Sequence, residues 1–311
     1  MKLKLEKHMY FKGKEARIIS RALNDVIKEF RKRTRVKKFK KIRIYITKNP
    51  VEVCRKILMP RVKLSRHGEM REWICENAPS FSYWDKGLVP TIMMDANERV
   101  FQDLNYPAIQ GLFAHELMHL LNKLDGIEDE LEAEAEQAAT NMFKLLEKEI
   151  KPFTRDKLLS SLIRITTSAL LFIKDIFANT RAMSFGFDDE LYKNYKVTLA
   201  DVKKEIKFTD SYIVKTLKKG RMHALDDAFT VYLGLNLSWI SFKMFHNKMY
   251  KYLQDMSRIR VPEIIKRQCK PIIKEMLKLR SASDKKQIAK ILRLTQQNYF
   301  NVVKHYSKKI R

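Results

Sequence analysis

Residues 111–122 read GLFAHELMHLLN, with His115 and His119 four apart and Glu116 directly after the first histidine. Around them Ile109, Leu112, Phe113, Leu117, Leu120 and Leu121 recur at helical spacing. On a helix, positions four apart share one face, so both imidazoles can present a nitrogen to a single ion. Glu116 stands about 100 degrees round from His115, where it can reach a water on that ion without ligating the ion itself. Two neutral imidazoles, an open coordination position and a nearby carboxylate are what hydrolytic zinc chemistry requires. Tyr106-Pro107 opens this helix and Asp125-Gly126 closes it.

Upstream, residues 15–33 place Ile18, Ile19, Ala22, Leu23, Val26, Ile27 and Phe30 on one helical face. Residues 41–46 alternate charged and apolar side chains and stop at Asn49-Pro50, which predicts a strand with one buried face. VEVCRKIL predicts a short helix, and MPRVKLSRHGEMREW an irregular surface excursion. Residues 80–87 and 88–95 read as two strands joined by a tight turn at Asp85-Lys86-Gly87. Pro90 cannot donate to a ladder, so the second strand is expected at a sheet edge.

After Gly126 the stretch IEDELEAEAEQAATNMFKLLEKEI starts a second helix, acidic in its first turns and basic near its end, as the helix dipole favours. Glu132 and Glu136 share a face, and Ala135 keeps the side between them slim. A glutamate, two residues, a small residue and a second acid, downstream of HExxH, resembles the signature of gluzincin metallopeptidases. The order of strand, HExxH helix and glutamate helix is similar to the minimal zincin core of minigluzincins and of the integral-membrane prenyl-protein peptidases. The resemblance spans about residues 15–150. It implies Zn²⁺ held by His115, His119 and Glu132, with Glu136 orienting a ligand histidine from behind. It also implies an extended peptide or protein substrate pairing with the edge strand at residues 89–95. The chain departs from those families in its short connection, twelve residues from His119 to Glu132, and in its lack of spanning helices.

From Lys151 the pattern turns helical. A long helix runs through RDKLLSSLIRITTSALLFIKDIFANTRAMSFGF and closes near Gly186. Another starts at DDELYKNY, and three or four more follow, with a turn at Lys219-Gly220 and boundaries at Pro262 and Pro271. The expected architecture is therefore α+β, a zincin-like domain at 1–150 followed by an all-helical region at 151–311. Gluzincins commonly stabilise the oxyanion from a downstream helix, and His223 in GRMHALDDAF is the candidate by position, with helix-start packing as the alternative. Asp226 and Asp227 suit the first turn of that helix or an extra ligand role. Asp175 and Asn179, one turn apart on an otherwise apolar helix, suit a structural hydrogen bond or a place in the cleft.

The formal net charge is +27, from 63 Lys and Arg against 36 Asp and Glu. Such a balance attracts nucleic acid or anionic membrane, but the spread of charge and the scarcity of Gly and Pro, 8 of each, fit a thermophile composition better. In the tail from Arg260 to Arg311 only Glu263, Glu275 and Asp284 are acidic, and Tyr299, Phe300 and Tyr306 lie among the lysines. Nucleic-acid binding and a solvated helical face are both open there. Cys54, Cys75 and Cys269 lie far apart without a CxxC pair, which argues against a disulfide framework and for a cytoplasmic location. The longest uncharged run, residues 228–242, is shorter than the ~20 residues of a membrane span. The expected activity is zinc-dependent peptide hydrolysis with Glu116 as general base. The alternatives are a non-catalytic zinc protein whose helical half binds a partner, and a basic nucleic-acid-associated protein with a degenerate HExxH.

Overall fold

The computed structural model describes residues 3–33, 39–57, 80–84, 89–146, 152–205, 208–281 and 284–310. They form an α+β chain with a four-stranded mixed sheet and, among the described residues, twelve helices. The chain divides into two compact units, Met1–Asp125 with Arg181–Thr198, and Gly126–Thr180 with Leu199–Arg311. The division at Gly126 puts the HExxH helix and the glutamate helix in different units, whereas the sequence places a boundary near Lys151.

In the first unit, β1 (Lys4–Met9), β2 (Lys41–Thr47), β3 (Ser80–Tyr83) and β4 (Thr91–Asp95) form the sheet in the order β1-β2-β4-β3. β1 and β4 flank β2 in parallel, and β3 runs antiparallel to β4. Ile42, Ile44 and Ile46 of β2 are buried, and the register sets Ile44 beside Ile92 and Ile46 beside Met94. The same face continues onto β3 through Met94–Ser80 and Ile92–Ser82. This apolar stripe with a serine-bearing edge is what positions the site. Helix α1 (Gly13–Arg33) links β1 to β2, and α2 (Pro50–Ile57) packs near β2 and β4.

The strand expected at the edge, residues 89–95, is not an edge strand, because β4 is bonded on both sides; among the described residues β3 is the edge. Pro90 is tolerated because it precedes the strand and contributes only its carbonyl, which accepts the Arg43 amide at 2.8 Å. The tight turn at 85–87 and the excursion MPRVKLSRHGEMREW lie outside the described residues.

After a single turn, α3 (Arg99–Gln102), comes the motif helix α4 (Tyr106–Leu124). Asn105 caps it, its side chain accepting the Ala108 amide at 3.2 Å, and Pro107 sits in the first turn where a missing donor costs nothing. Gly126, at φ +78°, ends it. α4 packs on α1 and β3. The unit is completed by the last turn of α6 (Arg155–Ser184) and most of α7 (Asp188–Glu205). Arg181 ties that turn of α6 to the end of α4, donating to Asn122 at 2.9 Å and Asp125 at 2.7 Å.

The second unit holds α5 (Ile127–Leu146), most of α6, and α8 (Asp210–Lys218), α9 (His223–Met244), α10 (Tyr250–Met256), α11 (Glu263–Met276) and α12 (Lys285–Ile310). α12 packs on α5, α8 and α11, and its Tyr299, Phe300, Val302, Val303 and Tyr306 are buried. Asp226, buried in the first turn of α9, accepts from Ser161 at 3.1 Å and from the Tyr299 hydroxyl, which joins α6, α9 and α12. Asp227 pairs with Arg164 at 2.5 Å. Pro271 does not mark a boundary; it lies inside α11 with its ring exposed. Cys54 is disulfide-bonded, which corrects the expectation of reduced cysteines and removes its support for a cytoplasmic location, while Cys269 is a buried free thiol. Among the described residues no helix is long and apolar enough to cross a membrane.

Candidate metal centre

The two histidines meet as their spacing requires. Nε2 of His115 and Nε2 of His119 lie 3.1 Å apart, with ring centroids at 4.7 Å. Two nitrogens bound about 2.0–2.1 Å from one tetrahedral zinc stand roughly 3.3 Å apart, so the pair needs little movement to share an ion. His115, His119 and Asp175 form a group that can hold a metal ion, with one ligand atom from each within 4.8 Å of the others. All three are partly exposed, as an exchangeable position on the ion requires. Two imidazoles and a carboxylate are borderline donors that suit zinc.

Glu116 is buried on the next position of α4, and the edge strand holds it there. The Ser82 hydroxyl lies 2.9 Å from Glu116 Oε2 and 2.8 Å from the Glu116 carbonyl, donating its one proton between them. Ser80, two residues earlier and so on the same sheet face, donates to Glu98. Burial pushes the Glu98 carboxyl up to about 7; Ser80 opposes the rise, the charges of Glu116 and Asp95 add to it, and His115 opposes it. One edge strand therefore anchors two carboxylates beside the imidazole pair.

Compared with known proteins, the chain matches no family model, no curated protein and no solved structure.

The other sequence candidates are placed as follows. Glu132 is buried and engaged by Lys174, whose Nζ donates to Oε1 at 2.7 Å and lies 3.4 Å from Glu128. Burial alone pulls the Lys174 ammonium down, but the charges and hydrogen bonds of Glu128 and Glu132 outweigh it and hold it above its ordinary range. Asp175 groups with the two imidazoles as a set that could hold a metal, while Lys174 engages one carboxylate oxygen of Glu132, the ligand that the resemblance implies. Glu136 is exposed, and Glu134 between the two is buried. His223 opens α9 with an exposed ring. Asn179 is buried, its amide donating to Ser241 at 3.3 Å.

Sequence reading passed over Ser80, Ser82 and Glu98. The serines carried no signal, since they alternate with Phe81 and Tyr83 as the polar side of an ordinary strand does. Glu98, at the N-cap of a single turn, carried none. Asp175 was legible only as one of a polar pair with Asn179, suited to a structural hydrogen bond or a place in the cleft.

Proposed function

We propose that this chain is a zinc-dependent peptidase in which His115, His119 and Asp175 hold the metal and Glu116 is the general base. The observation that carries this reading is the 3.1 Å approach of the two imidazole nitrogens on the helix that also buries Glu116. Zinc bound there supplies Lewis-acid polarisation of a carbonyl and acidifies a water. Glu116 takes the proton of the attacking water and returns it to the leaving amine nitrogen. Ser82 holds one oxygen of that carboxylate, which lowers the cost of orienting it. Among the described residues β3, rather than residues 89–95, ends the sheet, and an extended peptide would add there as a further strand next to Ser82.

Metal analysis of purified protein, with mass-spectrometric detection of cleavage in a mixed peptide library, tests the reading. The expected result is about one zinc per chain, lost in His115→Ala. Glu116→Gln should keep the metal and abolish cleavage. Metal retained without any hydrolysis by the wild type would leave a non-catalytic zinc protein, and protein that folds without affinity for zinc would remove the proposal.

A further inference from the structure

The helical hairpin at the end of the second unit carries a cationic face that the metal site does not use. α11 and α12 run antiparallel: Glu275 is joined to Gln287 and Lys290, both at 2.9 Å, while seven residues earlier Gln268 meets Asn301 at 3.4 Å. These bonds mark the outer seam between the helices. On the α11 side of it Arg267, Lys270, Lys274 and Lys278 are exposed at spacings of three and four residues, a stripe about 16 Å long. On α12 the outward positions are Lys286, Lys290, Arg293, Gln297, Asn301, Lys304 and Lys308, a stripe about 33 Å long. Glu275 binds both Lys278 and Lys290, at 2.8 and 2.9 Å, so the two stripes flank one seam and face the same way.

Acids neutralise little of this charge. Among the described residues no salt bridge engages Arg267, Lys270, Lys274, Lys286, Arg293, Lys304 or Lys308. The field is felt by His305, which burial and then Lys309, Arg267 and Lys308 hold below its ordinary value against the opposing charge of Asp210. Concentrating like charge on one hairpin costs repulsion, and a polyanion relieves it.

The character of the partner follows from what the face lacks. Apart from Pro271 its exposed residues are polar, and the exposed large hydrophobic side chains, Tyr10, Ile163, Tyr212, Phe245 and Tyr252, all lie elsewhere. A helix that docks on a lipid surface needs an apolar face to insert. Tyr299, Phe300 and Tyr306, which the sequence intersperses with lysines, are buried in the hairpin's core and offer no platform for stacking unpaired bases. Cations rising about 4.5–6 Å per step along two helices approximate the spacing of phosphates along a strand. We infer that the α11–α12 face binds the phosphodiester backbone of double-stranded nucleic acid without reading its sequence.

The test is fluorescence anisotropy of the full chain with a labelled random-sequence duplex, titrated at several salt concentrations. The variant is Arg267→Gln, Lys270→Gln, Lys274→Gln and Arg293→Gln together. A control removes four exposed cations from the other unit: Lys12→Gln, Lys14→Gln, Arg17→Gln and Lys28→Gln. The expected result is binding whose logarithm falls with the logarithm of salt at a slope of about −4 or steeper, reduced by about 3–4 in the hairpin variant and nearly unchanged in the control. Circular dichroism confirms that both variants fold. Equal losses in the two variants would mean that net charge alone acts, and would overturn the inference. So would absence of duplex binding at low salt, or hairpin-dependent retention on phosphatidylserine vesicles without duplex binding. None of these readouts depends on the metal.

Discussion

Gly111 lies one turn before His115 on α4, where the helix touches the first turn of α7. A Cβ added there would stand 2.2 Å from the Glu190 carbonyl oxygen, 2.5 Å from its carbon and 2.9 Å from the Leu191 nitrogen. Ordinary contact begins near 3.4 Å, so Gly111→Ala must part the two backbones by more than an ångström. The obstacle is main chain and cannot rotate away. Overpacking of this kind costs typically about 1–3 kcal/mol, and backbone on both sides puts it at the upper end. The better helix propensity of alanine returns about 1 kcal/mol. A net loss of about 2 kcal/mol is expected, which lowers Tm by roughly 4–8 °C for a unit of this size. Thermal unfolding followed by far-UV circular dichroism measures it. Zinc affinity should fall as well, because the same displacement moves His115 relative to the groups it stands with. A Tm equal to or above that of the wild type would refute the close packing of α4 on α7.

Asp175→Asn should weaken zinc binding by about tenfold or more, while Glu132→Gln keeps wild-type metal content; competition with a chromogenic chelator decides between the two acids, and the reverse ranking would restore Glu132 as the ligand. Lys174→Met removes the ammonium that Glu128 and Glu132 share and should cost about 3–5 kcal/mol in urea denaturation, with recovery when both glutamates are also made glutamine; a loss no larger than at an exposed lysine would mean that water already solvates the cluster. In metal-free protein, Glu98 binds its proton more tightly when folded than when unfolded, so its contribution is complete below the ordinary glutamate pKa and disappears as pH rises through about 7. Between pH 5 and 8 the wild type should therefore lose ~2 kcal/mol relative to Glu98→Gln, and parallel stability profiles for the two proteins would contradict this burial.

Local order fixed much of what could be read in advance. Helical periodicity defines α1, α4 and α5 to within a few residues, because each buries one continuous face; α4 also starts at the Asn105 cap and ends at Gly126. The pairing of His115 with His119 is equally local, a property of one turn of helix. β1 was not anticipated, since Lys4–Met9 is largely polar and only one of its edges is paired. Its strand identity comes from the ladder with β2, not from its own pattern.

What lies beyond one helix was decided by tertiary structure. Whether residues 91–95 sit at an edge depends on where β3 and β2 fall beside them, and no spacing within the strand encodes that. Glu132 is met by Lys174, 42 residues away along the chain, and no spacing within α5 encodes that contact. Ser82 reaches Glu116 across a separation of 34 residues. The chain itself specifies which side chains share a turn, because backbone geometry repeats every few residues; which of them meet across turns is set by packing and by competition among buried charges, and these exist only in the folded molecule.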